Sequence, residues 1–242
     1  MSGASDGDVL RMWERGVGRS PPERALALLA AADPLATWDE LSALPLCHRD
    51  RMLLELRRRL LGDPVRARHA CAGCGSAIEL ATTVSALLDA SAETVEASTQ
   101  FHLDDCAVRV RLPTTLDMML VVEHWADART ALLELCVSYD PPSDEPWRAA
   151  AVSDASRATL LDAIELRSGA AALQLAVTCA GCGARAIAEF DIVSFLWQEI
   201  AAEARRLARE VVALARAFAW READVLALAP QRRRLYLELA ES

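Results

Sequence analysis

Cys71-Ala72-Gly73-Cys74-Gly75 recurs as Cys179-Ala180-Gly181-Cys182-Gly183. Four thiols in two identical frames suit one chemistry above others, the tetrahedral capture of a soft cation. Closed structural zinc sites take four thiolates. A C-x-x-C turn offers two from one loop, and the glycine after each pair lets the backbone double back without a Cβ clash. Residues 75–178 separate the two pairs, against the roughly 15 to 20 residues of a compact zinc ribbon. A site formed by Cys71, Cys74, Cys179 and Cys182 would therefore hold one structural Zn2+ as a long-range clip.

The flanks repeat as well as the thiols. Val65–Ala70 and Leu173–Thr178 precede the pairs and alternate like half-buried strands, as do Ala77–Leu80 and Ile187–Phe190 after them. Val84-Ser85-Ala86-Leu87-Leu88 then echoes Val193-Ser194-Phe195-Leu196-Trp197 at the start of a helix. The repeated unit reads strand, thiol turn, strand, helix. Two such hairpins face to face would bring four sulfurs to one point.

Other fates for the thiols stay open, among them unmetallated structural thiols. Disulfides are conceivable, but the chain has seven Cys, an odd number, and no recognisable signal peptide, which favours a reducing compartment. A thioredoxin-like redox pair wants its first Cys at a helix N-terminus, whereas both pairs here lie between strand-like segments. Cys47, Cys106 and Cys136 stand singly among apolar residues and read as core.

The chain has 242 residues, 53% of them hydrophobic, with few aromatics and no apolar run of the roughly 18 or more needed to span a membrane. A soluble, predominantly helical α+β protein is expected. Its formal charge is −9, which a tetrathiolate zinc centre would take to −11. Phosphate backbones are repelled by such a surface, so nucleic acid is disfavoured as a partner. Arg66, Arg68, His69 and Arg185, close to the thiol turns, are expected to offset the charge of the metal centre. His69 and His102 could lie near the metal but are not needed as ligands.

Four regions are expected to position the thiols. Residues 1–62 form a helical module: after a flexible start, Ser20-Pro21-Pro22-Glu23 and Thr37-Trp38-Asp39-Glu40 are capping boxes. A third helix from Cys47 to Leu61 turns Leu53, Leu56, Leu60 and Leu61 inward and Arg57, Arg58 and Arg59 to water, and Gly62 stops it. Residues 63–90 and 170–192 are the paired zinc-knuckle hairpins. Residues 91–169 are an inserted lobe. It begins with a hairpin from Phe101 to Leu112 that turns at Asp104-Asp105. A helix capped by Thr114 or Thr115 runs through Met118, Met119, Val122 and Trp125, and a second spans Arg129 to Val137. The loop 140–146 follows, then a helix from Asp154 to Leu166 that leads to Ser168-Gly169.

Residues 193–242 are a long helix and a short helical pair. Val193, Leu196, Ile200, Ala204, Leu207, Val211, Leu214 and Phe218 make nearly a heptad seam, on a helix about 39 Å long. The seam can be buried within the chain or dock another subunit. Leu226, Leu228, Leu235, Tyr236 and Leu239 are expected to fold the pair back onto it. The Arg232–Arg234 run is surrounded by acids and is weak evidence for nucleic acid.

The stretch Phe190-Asp191-Ile192-Val193-Ser194-Phe195-Leu196-Trp197-Gln198-Glu199-Ile200, continuing through Arg206-Leu207, Glu210-Val211, Trp220-Arg221-Glu222 and Tyr236-Leu237-Glu238-Leu239, resembles the T4-type phage baseplate protein family. Leu46, Arg49-Asp50-Arg51, Gly62-Asp63, both C-x-x-C-G pairs and Leu112-Pro113-Thr114 belong to the likeness, which runs from about Leu46 onward and is most specific after Cys179. Many members carry Pro where this chain has Ala72 and Ala180. The resemblance implies a non-enzymatic part in building the baseplate of a contractile phage tail or tail-like particle, with other baseplate or tail proteins as partners. It also implies a place in the cytoplasm during assembly or within the finished particle. No catalytic set is legible: histidines stand scattered at 48, 69, 102 and 124, and no Gly-rich phosphate loop occurs. A zinc-ribbon adaptor for nucleic acid or protein and a thiol oxidoreductase are the alternatives.

Overall fold

Capping explains where the first helices begin. In a computed structural model that describes residues 5–91, 98–103, 106–124, 127–168 and 173–240, the chain opens with α1 (Asp6–Gly16), α2 (Pro21–Ala32), α3 (Trp38–Ala43) and α4 (Leu46–Leu61). Ser5 with Asp8, Ser20 with Glu23 and Thr37 with Glu40 close reciprocal capping boxes at the first three, each worth about 1 kcal/mol. Helix α1 corrects the expected flexible start. Its sequence signal is Ser-x-x-Asp, in which Asp8 does the work usually given to Glu or Gln. Its Val9 and Met12 are buried, and Gly16 lies so close to Trp197 that an added Cβ would sit 2.5 Å from the indole.

After Gly62, whose positive φ of 85° ends α4, the first hairpin pairs β1 (Pro64–Ala70) with β2 (Ala77–Thr83) and runs into α5 (Val84–Ala90). The inserted segment then forms a three-stranded antiparallel sheet of β3 (Ser98–Leu103), β4 (Cys106–Arg111) and β5 (Val137–Tyr139), with α6 (Thr115–His124), α7 (Ala128–Cys136) and α8 (Asp154–Arg167). Strand β5 was hidden in sequence because its three residues follow directly on α7. The expected turn at Asp104-Asp105, the Trp125 end of α6 and residues 169–172 lie outside the described residues. The second hairpin, β6 (Leu173–Thr178) with β7 (Arg185–Phe190), leads into α9 (Ile192–Phe218), α10 (Glu222–Leu226) and α11 (Pro230–Ala240).

Two large apolar clusters organise the described residues. The larger joins α1, α2, α3, α4, α5 and α9, with Val65, Leu173 and Phe190 from the hairpins, so helices from both ends of the chain contribute to one core. Val193, Leu196, Ile200, Ala204, Leu207 and Leu214 are buried in α9, which settles the seam as an intramolecular surface; Phe218 at its end is 38% exposed. The smaller cluster belongs to the insert and gathers Val108, Val110, Leu133, Trp147, Leu160 and Ile164. Helix α6 ties the insert to the body: Thr114 and Asp117 make its capping box, Arg111 grips Asp117 with two bonds of 2.6 and 2.7 Å, and Pro45 bridges Thr114.

Long-range ion pairs correct the expectations for two arginines, and exposure those for three leucines. Arg57 does not face water with Arg58 and Arg59; it is 4% exposed and binds Glu199 of α9 through Nε and Nη2, while its Nη1 donates 2.7 Å to the Gly62 carbonyl. Leu61, expected inward, is 37% exposed. On α11, Leu235 and Leu239 are exposed, and the residue that pins the helix is Arg233, 1% exposed, which binds Asp6 of α1 and, at 2.7 Å, Glu210 of α9. The basic run thus contains one interior cation between two solvated ones. At the junction with the insert, Arg49 binds its neighbour Asp50 and the Thr115 hydroxyl, all three buried. Burial pushes the Asp50 carboxyl up to about 6; Arg49 pulls against that, and Asp191 adds to it.

Arg233→Met is expected to cost about 3 to 5 kcal/mol in urea denaturation, since Asp6 and Glu210 lose their shared counter-charge. Arg232→Ala and Arg234→Ala should stay within about 0.5 kcal/mol of wild type. Because the Asp50 pKa is raised on folding, its contribution is full below the ordinary carboxylate range and is lost as pH rises through about 6. Melting temperatures of Asp50→Asn relative to wild type should therefore climb between about pH 4 and pH 6 and level off above.

Candidate metal centre

Each thiol turn is built by the same backbone bonds. Gly75 N–H donates to the Cys71 carbonyl at 2.8 Å and Cys71 N–H to the Ser76 carbonyl at 2.9 Å; Gly183 to Cys179 and Cys179 to Ala184 repeat the pattern, both at 2.9 Å. Gly75 and Gly183 hold φ of 72° and 73°, a left-handed conformation that costs a side-chain-bearing residue roughly 1 to 2 kcal/mol. That is the physical content of the repeated glycine. The hairpins beyond the turns are registered alike, Ala70 opposite Ala77 and Thr178 opposite Arg185.

The two turns meet across an approximate two-fold relation. Cys71 Sγ lies 3.6 Å from Cys182 Sγ and Cys74 Sγ 3.7 Å from Cys179 Sγ, so the first Cys of each copy faces the second Cys of the other. All four sulfurs lie within 4.8 Å of one another. A tetrahedron of sulfurs about 2.3 Å from a central zinc has edges of about 3.8 Å. The donor set and its spacing fit one tetrahedral ion, and the pairs are too far apart for disulfides, whose sulfurs lie about 2.05 Å apart. No histidine or carboxylate joins the group among the described residues.

The environment favours thiolates at some positions and crowds them at others. Cys71 and Cys179 are buried, backed by Ile78, Val177 and Ala188, while Cys74 and Cys182 are exposed. The Ser76 hydroxyl and backbone N–H, with help from the neighbouring sulfurs, pull the Cys74 thiol down to about 6. Backbone N–H groups of Cys74 and Gly73 lower Cys71. At Cys182 the Ala184 N–H pulls down, yet the three other sulfurs push the thiol up to about 12. Four thiolates this close repel one another, and a cation among them is what would let all four ionise together.

The remaining cysteines behave differently. Burial pushes Cys136 up to about 12 and raises Cys47, which packs on Leu112. They are core residues, as the sequence suggests, while Cys106 is half-buried and donates to the Leu103 carbonyl. Of the cations expected beside the metal, Arg68 spends its charge on Glu79 across the hairpin at 3.0 Å, and Arg66 and Arg185 are exposed on their strands. Sequence reasoning missed Ser76. Its one signal was its place directly after a C-x-x-C-G turn.

No protein-family model, curated protein or solved structure matches the chain. Among the described residues no helix is long and apolar enough to cross a membrane.

Gly75→Ala and Gly183→Ala are each expected to weaken metal retention about 5- to 30-fold in a chelator competition, from the strain of the left-handed turn. Gly73→Ala should change it little, because an added Cβ there meets ordinary contacts of 3.8 Å or more.

Proposed function

We propose that the protein is a non-enzymatic structural component whose fold is closed by one Zn2+ held by Cys71, Cys74, Cys179 and Cys182. The observation that carries this is the convergence of the four sulfurs within 4.8 Å from turns that flank the insert on both sides. A site with four protein thiolates leaves no open position for water or substrate, so its zinc would stabilise rather than catalyse. Its place supports the same reading. One turn precedes the inserted lobe and the other follows it, so a shared ion fixes the two roots of the lobe to each other and to α5 and α9.

The biological setting follows from the sequence resemblance. As a relative of the T4-type baseplate family, the protein would join other baseplate or tail proteins in building the platform of a contractile tail or tail-like injection particle. Its helical body and separately cored lobe are compatible with a part that bridges neighbours. The negative charge disfavours nucleic acid as the partner.

Metal analysis of the purified chain should return one zinc per chain. Cys74→Ser and Cys182→Ser should each lose the metal and lower the melting temperature by about 10 °C or more, since binding energy at a site absent from the unfolded chain is folding energy. An unchanged melting temperature in both variants, or dithiol turnover by the metal-free protein, would refute the clip. Co-purification from the native host with sheath, tube or spike proteins tests the baseplate setting, and specific recovery of nucleic acid instead would replace it with the adaptor reading.

A further inference from the structure

Opposite its buried seam, α9 shows water a second face of uniform chemistry. Arg205, Arg209 and Arg216 are exposed along it, and Ala208, Val212 and Ala213 line a shallow depression between Arg209 and Arg216. Val212 is 48% exposed. The carboxylates of the helix are committed elsewhere: Glu199 to Arg57, Glu203 to Arg206, and Glu210 to Arg206 and Arg233. Arg209 donates Nε to the Arg205 carbonyl, and none of the three exposed arginines forms an ion pair among the described residues.

Charge on this side runs against the rest of the molecule. Residues 201–240 contain eight arginines against Glu203, Glu210, Glu222, Asp224 and Glu238, a net +3 within a chain of −9. The side chains at 205, 209, 212 and 216 step by four, three and four residues, which keeps them on one side for three turns, about 16 Å. Between the arginines stand only alanine and valine, short enough for a second helix to approach to the usual 8 to 10 Å between axes.

We propose that this face of α9 docks an acidic amphipathic helix of a partner protein. Its carboxylates would pair with Arg205, Arg209 and Arg216, and its small apolar seam would cover Ala208 and Val212. Charge complementarity selects this occupant. A second copy presenting the same face would set arginine against arginine. A phosphate backbone would meet three arginines and then the repulsion of the remaining chain. The inference does not depend on the thiol cluster and survives the failure of the zinc reading.

The test uses the intact chain and a fluorescein-labelled, Glu-flanked helical peptide with an Ala/Leu seam, read by fluorescence anisotropy. A Lys-for-Glu version is the control. The acidic peptide should bind, weaken as salt rises from about 50 to about 300 mM, and exceed the lysine peptide. Arg205→Glu/Arg209→Glu/Arg216→Glu should lose about tenfold or more for the acidic peptide and gain the lysine one. Val212→Glu, which leaves the arginines in place, should weaken the acidic peptide as well, so the test does not hang on the triple variant's folding. The proposal is overturned by absent binding, by equal affinity for wild type and both variants, or by preference for duplex DNA over the peptide. It is overturned equally by a wild-type dimer in sedimentation that the reversal converts to monomer.

Discussion

Four sulfurs held within 4.8 Å by two turns about a hundred residues apart in sequence impose the constraint on which the architecture depends. Thiolates at that distance repel. The protein offers them backbone N–H groups and the Ser76 hydroxyl, yet Cys74 and Cys182 are driven in opposite directions. Such a cluster is comfortable either largely protonated or around a cation, and closed tetrahedral spacing suits the second state. The insert, with its own apolar core, is rooted at these turns and tied to the body a second time through Pro45–Thr114 and Arg49–Thr115.

The helical body obeys a different logic. Its long helix buries a nearly heptad seam against elements drawn from both ends of the chain. Desolvated arginines then set the register of those elements. Arg57 joins α4 to α9, Arg233 joins α11 to α9 and α1, and Arg49 with Asp50 and Thr115 joins the body to the insert. A buried guanidinium is weak evidence for stability as such, because desolvation offsets much of its attraction. It does restrict which arrangement is allowed, since a misplaced element would leave its charge without a partner in the interior.

The thiol turns close on themselves, and the seam of α9 is satisfied within the chain. What α9 leaves exposed is a row of arginines over small residues on its far side. The four sulfurs thus lie at the root of the insert, and the arginine row lies on the longest helix.

Local signals were legible without coordinates wherever the physics is local. Capping boxes located the starts of α2 and α3, Gly62 the end of α4, and the duplicated C-x-x-C-G frames the hairpins and the four sulfurs, because turn geometry and thiol pairing depend on residues a few positions apart. The same locality hid α1, whose Ser-x-x-Asp start was passed over, and β5, which exists only by pairing with β4. By itself the sequence determined which residues could ligate a cation and which helix carried the apolar seam. Only the tertiary structure decided that Arg57 and Arg233 are interior while Arg58, Arg232 and Arg234 are not, because the carboxylates that receive them, Glu199 for the first and Asp6 with Glu210 for the second, are far away in sequence. Their convergence is a property of the packed chain rather than of any window along it.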